Sequence, residues 1–308
     1  MTNILIFGHK NPDTDTICSA IVYNNLKRLQ GMDSEAVRLG ELNDETKYAL
    51  EYFNVSTPRL VEELKEGQHV ILVDHNEFQQ SANGIEKAVI REVIDHHRIA
   101  NFETAAPLYY RAEPLGCTAT ILKKIYEEQS VHIDKQMAGL MLSALISDSL
   151  LLKSPTCTLR DKVAAEELAK IAGVNLEEYG LAMLKAGAST KDKKTEELIT
   201  LDAKEFILGD DRLIVAQINT VDEKEVADRK EELANAINSE ISKKSLSAFV
   251  FVITNILTSN SEVLVLGAKQ DKVAAAFGKT LANDFMTLEG VVSRKKQVVP
   301  QITEEFTK

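Results

Sequence analysis

The chain has 308 residues, 44% of them hydrophobic and 27% charged, which is ample for a buried core and suggests about two domains. A net charge of −11 disfavours general attraction to nucleic acid or anionic membranes, so an anionic ligand would have to be drawn in by metal ions or a local basic cluster. No apolar run approaches the roughly 18 residues of a membrane span, and three scattered cysteines, Cys18, Cys117 and Cys157, exclude a disulfide framework or zinc knuckle.

Residues 3–7, NILIF, predict a short strand that is broken by the Gly- and Pro-containing GHKNPDTD segment. A helix capped by Thr14 or Asp15 is expected through about Leu29. A second strand is expected at 35–39 and a helix at 43–53. Two buried strands follow, HVILVD (69–74) and VIREVID (89–95), each closing on an acid. This alternation predicts an α/β N-terminal domain with a mainly parallel sheet flanked by helices. Helical spacing then covers 117–128, 135–152, 159–172 and 175–186. The stretch MAGLMLSALISDSLLL is apolar all round and reads as a core helix, with Asp148 its one acid.

The polar, charged GASTKDKKTEE stretch (187–197) reads as an interdomain linker or hinge. The expected domains are 1–188 and 197–308, with 189–196 between them. The second is a smaller α/β unit with a mixed sheet. Its expected elements are a hairpin of strands 204–208 and 213–218, a charged helix at 222–242, paired strands at 247–257 and 261–268, and a helix at 271–281. SRKKQVVPQI is expected as a basic loop running into a last apolar segment.

The chemistry concentrates in the first half. His9, Asp13 and Asp15 lie within seven residues, suited to a tight loop around a metal; alone, the same segment is equally consistent with an Asx-rich turn. Mixed oxygen and imidazole donors favour Mn²⁺, Co²⁺ or Fe²⁺. Asp74 closes a buried strand, where acids serve either as ligands or as turn caps; His75 should point the other way. Asp95, His96 and His97 are three polar side chains in a row after an apolar strand, costly to bury unless paired or coordinating. Successive residues alternate faces, so His96 and His97 can do different work. Asp148, inside an apolar helix, needs a cation or a metal as partner. If the strand ends converge on one sheet edge, these pieces form a single site for phosphate chemistry.

Together GHKNPDTD, VDHNE, IDHH and the late SRKKQVVP resemble the family II (manganese-dependent) inorganic pyrophosphatases of the DHH phosphoesterase superfamily, in order and over essentially the full chain. The resemblance implies hydrolysis of pyrophosphate to two orthophosphates by water activated between two Mn²⁺ ions, with Co²⁺ an alternative and Mg²⁺ arriving with the substrate. It implies one ion on His9, Asp13 and Asp74, and a second on Asp15, Asp74, His96 and Asp148, with Asp74 shared. It further implies His97 facing the substrate, Asp95 orienting a histidine from behind, and Lys204, Arg294 and Lys295 clamping pyrophosphate from the second domain. A cytoplasmic homodimer formed through the N-terminal domain is the expected state, with neither nucleic acid nor membrane as partner. The rival readings are a DHH-type exopolyphosphatase or short-oligonucleotide phosphodiesterase, which share the metal core, and a non-catalytic metal-binding module. A nuclease should also offer stacking aromatics and a basic track, whereas aromatic residues are only 6% and Trp is absent.

Overall fold

The protein is described by a computed structural model covering residues 3–188, 193–221, 225–226 and 228–308. It divides into two compact units, Met1–Gly187 and Ala188–Lys308.

The first unit is built on a six-stranded sheet in the order β3-β2-β1-β4-β5-β6. The strands are β1 (Ile4–Phe7), β2 (Ser34–Arg38), β3 (Arg59–Leu60), β4 (His69–Val73), β5 (Val89–Asp95) and β6 (Tyr109–Ala112). Every pairing is parallel, so all strands finish at one edge. Apolar residues alternate along the strands: Leu5, Phe7, Val70, Leu72 and Val93 join one core cluster, and Ile6, Ile71 and Ile94 are buried on the opposite face. The chain steps from β1 to β2 on one side and later returns to place β4 on the other side of β1. The crevice at the ends of β1 and β4 is therefore a topological switch point, where open α/β sheets bind ligands.

Helix α1 (Thr14–Leu29) packs on β1, β2 and β4. Its cap is Asp13, whose side chain accepts from Thr16 N, rather than the expected Thr14 or Asp15; the proline-stiffened loop brings Asp13 to the cap position one residue earlier. Helices α2 (Asp44–Tyr52), α3 (Thr118–Glu128), α4 (Lys135–Ser149), α5 (Leu159–Ala172) and α6 (Leu176–Ala188) follow. Because α4 touches α1, α2, α3 and α5, its apolar sequence is buried almost all round. No described helix is long and apolar enough to cross a membrane.

Of the expected linker, residues 189–192 lie outside the described residues. Thr195–Leu198 forms a helical turn, α7, whose Leu198 enters the core of the second unit. That unit carries a mixed sheet, β11-β10-β9-β8-β7: β7 (Ala203–Leu208), β8 (Asp211–Thr220), β9 (Ala248–Asn255), β10 (Asn260–Leu266) and β11 (Phe285–Leu288). The β8–β9 pair alone is parallel. Its crossover carries a helix over Lys230–Lys244; part of the expected 222–242 helix lies outside the described residues. Leu233 and Ile237 cover one sheet face, and Val298, Ile302 and Phe306 cover the other. The expected basic loop at the end is instead a π-helical turn, Arg294–Val298, running into a helix over Val299–Thr307. Ser293 caps the turn by accepting from Lys296 N, and Pro300 sits in the first turn of the helix, where a missing N–H does no harm.

Candidate metal centre

His9 and Asp13 come from the loop after β1, and Asp15 from the first turn of α1. Asp74 follows β4, Asp95 ends β5 with His96 and His97 next, and Asp148 lies in the last turn of α4. The structure brings all of them together at the carboxyl edge of the first sheet. His9 Nε2 lies 3.4 Å from Asp13 Oδ2 and 3.6 Å from Asp74 Oδ2. On the other side, His96 Nε2 lies 3.4 Å from Asp74 Oδ1 and 3.6 Å from Asp148 Oδ2. Two sets of donor atoms result, His9–Asp13–Asp74 and Asp15–His96–Asp148, each with its atoms within 4.8 Å of one another, and Asp74, His96 and His97 form a third set that overlaps them. Neighbouring ligands on one divalent ion lie roughly 3.0–3.5 Å apart when bonds are about 2.1 Å. The observed separations are close to that range.

Asp74 sits between the sets. It is buried and adopts a left-handed backbone, φ 57°, uncommon outside glycine and found where structure forces it. Thr16 Oγ1 donates to its Oδ2 at 2.7 Å and Thr118 Oγ1 to its Oδ1 at 3.1 Å. Gly8 makes the Thr16 contact attainable, because a Cβ there would meet Thr16 Cγ2 at 2.5 Å. Asp15, also buried, accepts from Ser19 Oγ and from Thr118 N, both at 2.7 Å; the second donor is an otherwise orphaned amide at the N-terminus of α3. After Asp148 the chain turns through three consecutive left-handed leucines, Leu150, Leu151 and Leu152, each costing about 1–2 kcal/mol relative to ordinary backbone.

The electrostatics of the cluster are set by burial and by its mutual charges. Burial pushes the Asp15 carboxyl up to about 7, helped by the charge of Asp74. Burial likewise sends Asp148 well above the carboxylate range, with Asp15, Asp13 and Asp74 adding to it. Burial opposes ionisation of Asp74 too, but the surrounding His96, His97 and His9 outweigh it and hold that carboxyl well below its ordinary value. His9 and His96, which burial alone would push down, are raised to about 9 by their carboxylate neighbours, Asp13 first for His9 and Asp74 first for His96. Buried carboxylates and imidazoles gathered at these separations are a donor set that fits divalent cations. His96 Nδ1 faces the carbonyl of Leu115 at 3.0 Å, so Nδ1 carries a proton and Nε2, directed at Asp74 and Asp148, is the nitrogen that would face a cation.

His97 is placed differently. Its Nδ1 meets Asp95 Oδ1 at 2.9 Å, while its ring is about one third exposed. Asp95 is fully buried and is itself held by Asn76 Nδ2 at 2.6 Å. Its carboxyl lies below the ordinary range: burial opposes this, and the bonds from His97 and Asn76 prevail. His75 is buried, bonded to Val73 O and Ser81 Oγ, and turned away from the two donor sets.

In the second unit Lys204 is exposed on β7 and Lys295 is exposed in the π-turn. Arg294 is buried: its guanidinium contacts the Asp202 carboxylate at 2.8 Å and the backbone carbonyls of Asp202 and Val215, and its N–H donates to Gln217 Oε1. Val215 pairs with Lys204 across the hairpin, so Arg294 and Lys204 share one neighbourhood. Thr16, Thr118, Ser19 and Asn76 have no counterpart in the sequence reading. A hydroxyl or amide that steadies a carboxylate carries no spacing signal of its own.

Family models match both halves of the chain, the DHH family N-terminal domain over residues 3–145 and the DHHA2 domain over 181–305. A protein of an Exiguobacterium species, named a probable manganese-dependent inorganic pyrophosphatase, is 63% identical with full coverage of both chains. The manganese-dependent inorganic pyrophosphatase of Bacillus subtilis is 60% identical over 99% of each chain. A solved structure from Methanococcus jannaschii, assigned to the family II inorganic pyrophosphatases, superposes with a TM-score of 0.81 at 38% identity, covering 99% of this chain and all of that one. With the DHH and DHHA2 domains in succession and identity of this level from end to end, the chain belongs to the family II, manganese-dependent inorganic pyrophosphatases.

Proposed function

We propose that the protein hydrolyses inorganic pyrophosphate to two orthophosphates with the help of two divalent cations, Mn²⁺ ahead of Co²⁺, and with Mg²⁺ accompanying the substrate. His9, Asp13 and Asp74 would hold one cation, and Asp15, Asp74, His96 and Asp148 the other. The observation that carries this reading is Asp74, a buried carboxylate whose two oxygens face different histidines, one in each donor set. Such a pair of cations supplies a water of lowered pKa and neutralises charge on phosphate oxygens.

The chain's own residues do the rest. Asp95 takes the Nδ1 side of His97 and orients its ring, leaving Nε2 to donate a hydrogen bond or a proton to a phosphate oxygen. Lys204, Arg294 and Lys295 would bind the substrate phosphates, Arg294 as a planar fork and the lysines as point charges. Support comes from the neighbourhood that Arg294 and Lys204 share around Val215, and from the exposure of Lys295 next to Arg294 in the turn.

A cytoplasmic setting is supported by three free cysteines, two of them buried. The net charge of −11 supports a small anion as substrate rather than nucleic acid or a membrane surface. A homodimer through the first unit is supported by β6, an edge strand carrying the exposed Tyr109. Light scattering that returns a monomer mass at working concentration removes that part.

The decisive assay compares phosphate release from pyrophosphate, polyphosphate and short oligonucleotides, with Mn²⁺ present and after chelation. Pyrophosphate should be cleaved fastest, and only with metal. Faster cleavage of either polymer would overturn the reading.

A further inference from the structure

We propose that Asp161 is a positioning residue for the candidate metal centre, acting through segment 115–118. The inference rests on the two-cation reading above. Asp161 lies in the first turn of α5, where it completes a capping box with Thr158. Such a cap needs only the local pair. Here the carboxylate is fully buried and accepts four hydrogen bonds. Two are local, from Thr158 N at 2.7 Å and Thr158 Oγ1 at 2.6 Å. The other two reach far back along the chain, to Gly116 N at 2.9 Å and Thr120 Oγ1 at 2.7 Å.

The tethered segment delivers the groups that steady three of the proposed ligands. Leu115 O fixes His96 through Nδ1, Thr118 N donates to Asp15, and Thr118 Oγ1 donates to Asp74. Gly116 is needed for the approach, since a Cβ there would lie 2.8 Å from Asp161 Oδ2 and 3.2 Å from Thr156 O. Asp161 therefore ties α5 to the turn entering α3, and that turn to the Asp15–Asp74–His96–Asp148 set. The His9–Asp13 side shares only Asp74 with this chain of contacts, so loss of Asp161 should weaken the two cations unequally.

The test is Mn²⁺ binding to the full-length protein by equilibrium dialysis, with unfolding and kinetics measured in parallel. For Asp161→Asn one of the two Mn²⁺ dissociation constants should rise about tenfold to a hundredfold, the range for a contact that orients a ligand from behind. The other should stay as in the wild type. Turnover should fall at limiting Mn²⁺ and recover in excess, with KM for pyrophosphate unchanged. Thr158→Ala, which weakens the cap but leaves Gly116 and Thr120 bonded, should lower the melting temperature without changing either constant. Thr120→Val removes one tether and leaves the cap alone; it should shift the same constant as Asp161→Asn, and it carries the test should that variant not fold. Unchanged Mn²⁺ binding in these tether variants, or an equal loss in Thr158→Ala, overturns the inference alone. A wild type that takes up no Mn²⁺ overturns the metal reading and the inference with it.

Discussion

The side chains with the largest expected effects are those whose neighbours leave them no substitute. Asp74→Asn removes the charge shared by both donor sets, so both Mn²⁺ ions should be lost and turnover should fall by more than about a hundredfold, beyond what an outer contact produces. Metal content by atomic absorption, read beside phosphate release, checks this; full occupancy in the variant would rule out a bridging Asp74. His97→Gln should behave differently, keeping its Mn²⁺ while kcat drops by about a hundredfold or more. Loss of metal in that variant would make His97 a ligand instead. Away from the centre, Glu113 contacts Arg111 at 2.9 Å and also pairs with Lys124. Its carboxyl is lowered from 4.5: burial acts against this, and Lys124 and Arg111 outweigh it. A depressed folded pKa stabilises the protein above the unfolded value and loses that contribution as pH falls below about 4.5. The wild type should thus be more stable than Glu113→Gln at neutral pH, and the gap should close on acidification; melting curves across that range would show it. These candidate residues were legible because acids and histidines after apolar strands are chemically conspicuous. Thr16 and Thr118 were not, because a threonine at the start of a helix has the same sequence signature whether or not it serves a carboxylate.

Among the elements, the junction of β1 and α1 is the most constrained. Gly8 lets Thr16 reach Asp74, so Gly8→Ala must separate strand from helix or turn Thr16 away. It should cost about 1–3 kcal/mol by chemical denaturation, as overpacking does, and should also weaken Mn²⁺ binding. Unchanged stability would mean that the junction is looser than its geometry indicates. The long elements are readable either from the regular spacing of one buried face or, as in α4, from an apolar run long enough to be a core helix. Of the short strands, β1 stands out as an unbroken apolar run, whereas β3, with two residues, and β6 and β11, with four each and polar residues among them, give no such signal. The terminal basic stretch reads as a loop because of Pro300 and two adjacent lysines. In the fold Ser293 caps the turn, and Val298 and Ile302 anchor it in the core. The same packing buries Arg294, which composition alone would place in solvent.

The two units have separate cores, and among the described residues only the first contains a carboxylate and histidine cluster. Mn²⁺ at 100 times its dissociation constant should therefore stabilise the first unit by about 2.7 kcal/mol per site. Amide exchange should show the added protection in residues 3–187 and little in the second unit. Equal protection in both would mean that they unfold as one.

The proposed division of roles between the units has a practical corollary. A polypeptide ending at Gly187 would keep every proposed Mn²⁺ ligand and lose all three proposed phosphate-binding cations. It should capture the ion yet leave pyrophosphate intact. Supplying residues 188–308 as a separate chain should restore turnover only at high concentration of both pieces, because the covalent tether that sets their effective concentration would be gone.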